Sequence, residues 1–258
     1  MSLKGRGAVI TGGGRGIGKA VARYLAEDGA AVVVTARSTD QIEQVAGELR
    51  DAGFEAHAVT CDVSDEASVL SMAKKATELL GTVDILVNNA GIAPSNPVKR
   101  VTLEEWNRVM GINVTGTFLC TRAFLPAMVE REWGRVINVA SVAGLRGSKY
   151  ISTYCASKHA QIGFTRAVAD EVAAKHVTVN AICPGYVDTP MTEYSVVQIT
   201  EKAKVSPDEA LQHILATSPQ GRLIRPEEIA AVARLLCSKD GEGISGQAIA
   251  IDQGQGNH

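Results

Sequence analysis

The sequence predicts an α/β fold: a single doubly wound, seven-stranded parallel sheet with helices on both faces. Three observations carry that expectation. Short β-branched runs alternate with longer segments whose apolar residues recur at helical spacing. Several short runs are apolar throughout, as strands covered on both faces are. No proline- or glycine-rich linker, repeat or low-complexity tract breaks the series, so residues 1–258 read as one domain.

Taken along the chain, the strands are expected at 7–11 (GAVIT), 31–35 (AVVVT), 55–60, 84–89 (DILVNN), 134–141, 177–183 (VTVNAIC) and 248–251. Between them, 19–28, 40–52, 65–80, 103–128 and 157–175 carry the helical period. Residues 102–105 (TLEE) and 206–209 (SPDE) have the form of a capping box, the second with proline at the first helical position.

Bulk properties exclude several function classes. A net charge of −2 argues against nucleic acid or an anionic membrane as partner. Unbroken apolar runs such as 30–34 fall far short of the roughly 20 residues a membrane span needs. The first residues, MSLKGRGAVITGG, lack a charged-then-apolar leader pattern. Five cysteines (Cys61, Cys120, Cys155, Cys183, Cys237) are odd in number and form no C-x-x-C pair, so a reduced, cytoplasmic setting is expected. His57, His159, His176, His213 and His258 show no metal-ligand spacing, and no metal is expected. Ser141 lacks a G-x-S-x-G elbow, so a hydrolase is unsupported.

The first strand runs into TGGGRGIGKAVARYLA. Gly12 permits a tight turn, Gly16 lets backbone approach a pyrophosphate, and Gly18 lets the next helix pack close. The N–H groups opening that helix would then face phosphate. Further on come NNAG (88–91), Asn113, Ser141, YCASK (154–158) and PG (184–185). In this order and at these intervals the chain resembles the short-chain dehydrogenase/reductase family, classical subgroup, over nearly its whole length. With CPGYVDTPM (183–191) and the GR…PEE segment (221–228), it is most similar to 3-oxoacyl reductases and polyketide ketoreductases.

That resemblance implies a Rossmann-type dinucleotide site. Its parts would be Arg15 and Ile17 in the glycine turn and Arg37 after the second strand. Asp62 and Val63 would follow the third strand, with Asp62 on the adenine amino group or capping the next helix. Asn89, Ala90 and Gly91 would line the site after the fourth strand, with Asn89 beside the adenosine. Pro184, Gly185, Val187 and Thr189 would follow the sixth, with Thr189 on the nicotinamide amide. Where NAD usually demands an acid, the chain has Ala36 and then Arg37. Arg15 and Arg37 can fork onto a 2′-phosphate, which favours NADP(H) over NAD(H). Asp40 is the competing NAD-type contact, or simply a first-turn acid of its helix.

Tyr150, Tyr154 and Lys158 are spaced by four and would share one helical face. In the family the helix begins near the second tyrosine, so the resemblance assigns proton transfer to Tyr154 and the pocket wall to Tyr150. Reducing a ketone by hydride leaves an alkoxide that needs a proton, and a phenol can donate it. A free phenol has a pKa of about 10, which a neighbouring ammonium would lower. Lys158 is expected to supply that charge and to bind the nicotinamide ribose. Ser141 would hydrogen-bond the carbonyl oxygen, and Asn113 would hold a water leading from Lys158 to solvent.

The variable segments 93–97, 142–150 and 186–226 are expected to build the substrate pocket, the last as a lid of two helices. Val142, Leu145, Tyr186 and Met191 make it apolar; Arg146 and Lys149 would guide an anionic tail such as coenzyme A, or are solvated loop charges. Arg131 lies between Glu130 and Glu132, which weakens a basic dock for an acidic carrier protein. The family commonly ends in a glycine pair, where this chain has Gln253 and Gln255. The resemblance implies a homotetramer and an NADP(H)-dependent oxidoreductase interconverting a ketone, such as a 3-oxoacyl thioester, with a secondary alcohol. The alternatives are an NAD-linked alcohol dehydrogenase and a non-enzymatic cofactor-binding regulator.

Overall fold

The computed structural model describes residues 2–256, so His258 lies outside it. Seven strands appear where the sequence predicts them: β1 (Gly7–Thr11), β2 (Ala31–Ala36), β3 (Ala56–Thr60), β4 (Ile85–Asn88), β5 (Gly134–Val139), β6 (Val177–Pro184) and β7 (Ala248–Ile251). They pair in parallel in the order β3-β2-β1-β4-β5-β6-β7. The order reverses between β1 and β4, and a ligand crevice opens outside the carboxyl ends of strands at such a point.

Among the described residues the helices are α1 (Gly16–Glu27), α2 (Thr39–Asp51), α3 (Glu66–Leu80), α4 (Leu103–Met110), α5 (Gly116–Glu130), α6 (Ser152–Val172), α7 (Pro190–Ala203), α8 (Pro207–Leu215) and α9 (Pro226–Cys237). Side chains alternate across each strand, which explains the unbroken apolar runs. Ala8, Ile10, Val32 and Val34 enter a core layer with Leu25 of α1, Ile42 of α2 and Leu236 of α9. Val9 and Val33 point the other way, into a layer with Met72 of α3, Phe124 of α5 and Val168 of α6.

Three local features differ from expectation. The helix expected over 103–128 is interrupted by a π-helical segment, Gly111–Thr115. It turns the buried Asn113 inward, and Gly116 lies so close to the chain after β3 that a Cβ there would be 2.8 Å from the Val63 Cγ2. α6 begins at Ser152, two residues before Tyr154, near which the resemblance places its start, and five before the helical period read at 157; its N-cap Ile151 offers no capping side chain. Of the two expected capping boxes, Ser206–Glu209 is complete. At Thr102 only half forms, because the Glu105 carboxylate accepts from Asn96 instead (2.6 Å).

Leu103–Glu130 as a whole is long and apolar enough to cross a membrane (mean hydropathy 1.2). Its Leu119, Cys120, Phe124 and Met128 are core residues here, the ordinary reason for an apolar helix against a sheet. At the opposite end of the sheet from the crevice, the buried Asp84 carboxylate accepts from the Gly7 N–H (3.0 Å) and pairs with Arg6 and Arg131. Arg131, weighed above as a docking cation, is thus tied to the fold.

Candidate active site

Gly12 and Gly16 adopt φ of +64° and +52°, conformations an L side chain resists. Gly18 is required for a different reason: a Cβ there would lie 2.4 Å from the Gly12 carbonyl oxygen and 2.6 Å from the Asn89 Nδ2. The Asn89 amide donates to the carbonyls of Thr11 and Gly12, both at 3.0 Å. Asn89, expected beside an adenosine, is therefore also a clamp on the glycine turn. A lone asparagine in a sequence carries no signal of that bond. Gly16 in turn packs against Thr189, whose Cγ2 would be 2.9 Å from an added Cβ, so the turn after β1 meets the exit from β6.

The turn opens onto a cleft of about 370 Å³. Gly12, Arg15, Gly16 and Ile17 form its floor, Asn89, Ala90, Gly91 and Thr189 one wall, and Arg37, Asp62 and Val63 the far end. Ser38, Gln41 and Ile112, not singled out in the sequence, complete it. Arg15 and Arg37 are both exposed at its rim. Asp62 lies 3.9 Å from Arg37, and its carboxylate accepts from the Ser64 N–H (3.0 Å) and hydroxyl (2.6 Å). The Ser64 hydroxyl, the Ser64 N–H and the Arg37 charge hold that carboxyl below its usual range, against the opposing effect of burial. The N-cap of α3 is Asp65, so Asp62 is free of the capping role. Asp40 is an exposed first-turn residue of α2 behind the N-cap Ser38 and does not line the cleft.

A second cavity, about 330 Å³, joins the first across Ile17, Gly91 and Thr189. Ser141, Tyr154 and Lys158 lie at its base with Pro184, Gly185 and Val187; Arg146, Lys149, Tyr150, Tyr186 and Met191 lie around it. Ser141 caps the short turn Val142–Gly144 directly after β5, its Oγ accepting from the Ala143 N–H at 3.1 Å. Tyr154 and Lys158 are one turn apart on α6, with the Nζ 5.6 Å from the centre of the phenol ring. Tyr150 precedes the helix with φ +67°, so the three-residue stripe is broken as expected. The Ser141 hydroxyl donates to the Pro184 carbonyl at 3.5 Å, and Tyr154 lines the same cavity.

The Asn113 amide is fully engaged. Its Nδ2 donates to the Ile92 carbonyl (3.0 Å) and the Ser157 hydroxyl (2.9 Å), and its Oδ1 accepts from the Ile92 N–H (2.9 Å). It ties the chain after β4 to α6, directly beside the cleft.

Burial sets the charge of this group. Burial pushes the Tyr154 phenol up to about 12, only partly offset by the Ser141 hydroxyl. Burial pushes Lys158 down to about 7. Desolvation is the larger effect because both groups lie at the base of a deep cleft, away from water. At neutral pH Tyr154 is thus a protonated phenol, which holds the proton an alkoxide would need.

A model of the short chain dehydrogenase family matches residues 6–199, from before β1 into α7. The chain belongs to that family. Among relatives of this short-chain dehydrogenase, a protein described as a ketoacyl reductase of the granaticin polyketide synthase of Streptomyces violaceoruber is 38% identical over 253 residues, 97% of this chain and 93% of that one. The 3-oxoacyl-[acyl-carrier-protein] reductase FabG of Aquifex aeolicus is 36% identical over 255 residues, 98% of each chain. Among solved structures, a point variant of actinorhodin polyketide ketoreductase with NADPH superposes with a TM-score of 0.96, at 37% identity and full coverage of both chains.

Proposed function

We propose that this short-chain dehydrogenase is an NADP(H)-dependent ketoreductase. It interconverts a ketone, a 3-oxoacyl thioester or a similar β-keto compound, with the secondary alcohol. The observation that carries the reading is that Ser141, Tyr154 and Lys158 line one cavity beside the glycine-turn cleft, with the Lys158 Nζ 5.6 Å from the centre of the Tyr154 ring. The named relatives, ketoacyl reductases and an NADPH complex, support the same reaction class.

The residues present fit a dinucleotide. The backbone of Gly12, Gly14 and Gly16 lines the cleft where α1 begins, so the first N–H groups of that helix would meet a phosphate there. Arg15 and Arg37 would hold a 2′-phosphate, with Ser38 and Gln41 beside them. The cofactor, when bound, supplies the hydride. The Ser141 hydroxyl orients the carbonyl oxygen and stabilises charge developing on it. The Tyr154 hydroxyl, protonated at neutral pH, donates the proton that completes the alcohol. The Lys158 ammonium offsets the negative charge that proton transfer leaves on the phenol. The apolar walls of the second cavity keep bulk water from the reacting carbon.

We read α7 and α8 as a lid over one domain. Only Thr192 of α7 is buried, and Lys202 from α7 reaches Ser95 and the Asn96 Oδ1 (3.2 Å) across the pocket mouth. Arg146 and Lys149 at the same mouth suit the phosphates of an acyl-CoA; Arg146 also donates to the Gln255 carbonyl (3.2 Å). Exposed Leu103, Trp106 and Phe118 on the 103–130 helix suit burial between copies in a homotetramer, and five free cysteines suit a reduced, cytoplasmic setting.

The test follows NADPH absorbance against a panel of ketones that includes acyl thioesters. Oxidation of NADPH by at least one ketone is expected; binding of NADPH with no oxidation across the panel would instead favour a regulator. In the same assay Arg37→Ala is expected to cut the preference for NADPH over NADH by about tenfold, the value of one exposed charge-assisted contact. An unchanged preference would refute the 2′-phosphate assignment.

A further inference from the structure

Gln161, mid-way along α6, is only 1% exposed. Burying an amide is costly unless its hydrogen bonds are met. Here they are met by the catalytic group itself. The Gln161 Oε1 accepts from the Lys158 Nζ at 2.7 Å, and its Nε2 donates to the Thr117 Oγ1 of α5 at 2.7 Å. Thr117 decides which end of the amide faces the ammonium. Its hydroxyl hydrogen is spent on the Asn113 carbonyl (2.8 Å), so its oxygen can only accept. The amide nitrogen must therefore face Thr117 and the amide oxygen Lys158. The helix backbone at this point is fixed too, since Thr165 donates to the Gln161 carbonyl and accepts from Asn138 (2.7 and 2.8 Å).

The Lys158 ammonium has three donors. One goes to the Val139 carbonyl at 2.8 Å and one to Gln161, which leaves one for the crevice. The titratable groups facing it are Tyr154 on its own helix and the Cys183 thiol from β6. β5, the π segment and α5 contribute only uncharged groups here: the Val139 carbonyl, Asn113 and Thr117. Among these neighbours Gln161 is the side chain that offers the ammonium an acceptor.

We propose that Gln161 is a positioning residue: through an orientation imposed by Thr117, its side-chain oxygen favours the charged form of Lys158 and leaves one N–H directed at the crevice. This rests on the assignment of Lys158 to the reaction. An acceptor on the charged form favours that form, so removing it lowers the proton affinity of Lys158, and a carboxylate in its place raises it.

The test titrates the full-length protein labelled with 13C at lysine Cε, by NMR, with the Lys158 signal assigned from its loss in Lys158→Met. In the wild type a midpoint lowered by burial to about 7 is the expected reading. In Gln161→Leu the midpoint falls by about one pH unit, the lower value of a hydrogen bond to a charged group. In Gln161→Glu it rises. The alkaline limb of kcat/KM for NADPH-linked ketone reduction moves in the same two directions. A loss of packing alone would lower the melting temperature without moving either midpoint. If Gln161→Leu does not fold, Thr117→Val, which removes the group orienting the amide, is expected to lower the midpoint as well. A Lys158 midpoint unmoved in the folded variants overturns the inference. A wild type that oxidises NADPH with no ketone overturns the proposed function and leaves this titration as it stands.

Discussion

Tyr154→Phe lowers kcat for ketone reduction by about 10²–10⁴-fold, the usual contribution of a positioned general acid. NADPH affinity stays within about twofold, since the substitution removes a hydroxyl from the base of the second cavity and none of the glycine turn, Arg15 or Arg37 is touched. Phenylalanine keeps the ring that lies 5.6 Å from the Lys158 Nζ, so packing on α6 is preserved. What is lost is the oxygen that carries the proton. Steady-state rates with saturating NADPH and fluorescence titration of NADPH separate the two effects. Equal turnover in the variant would remove Tyr154 from the chemistry.

How much of this was legible follows from which forces leave a local trace. Val9 and Val33 face one layer while Ala8, Ile10, Val32 and Val34 face the other. A strand buried on both sides must be apolar at every position, and the sequence shows that directly. Gly12, Gly16 and Gly18 were legible because their spacing is set by the turn itself. The start of α6 was not: Ile151 gives no capping signal, and the helix is held there by tertiary burial of Thr153 and Cys155. The π segment was hidden for a similar reason. It exists to place Asn113 between Ile92 and Ser157, contacts that span 21 and 44 residues. Asn89 on the carbonyls of Thr11 and Gly12, and Gln161 between Lys158 and Thr117, are likewise long-range hydrogen bonds with no sequence period. Residue types reveal neighbours, whereas the desolvation that dominates at Tyr154 and Lys158 depends on the depth of the cleft.

Gly18→Ala weakens NADPH binding by about 10–100-fold, the equivalent of the roughly 1–3 kcal/mol that overpacking a tight site costs. The added methyl would meet the Gly12 carbonyl oxygen at 2.4 Å and the Asn89 Nδ2 at 2.6 Å. Neither can yield easily. The carbonyl is backbone, and the Asn89 amide is fixed by its bonds to Thr11 and Gly12. The start of α1 must therefore move away from the turn, which takes the helix N–H groups out of register with the phosphates they would face. The catalytic group lies on other elements, β5 and α6, so kcat at saturating NADPH falls far less than affinity. Gly163→Ala is the matched control. It is exposed on α6, its added Cβ meets nothing within 4 Å, and affinity should be unchanged. Fluorescence titration of NADPH on both variants distinguishes a local cradle from a general loss of fold. If Gly18→Ala binds as tightly as Gly163→Ala, the close approach of α1 to β1 is not what forms the phosphate site.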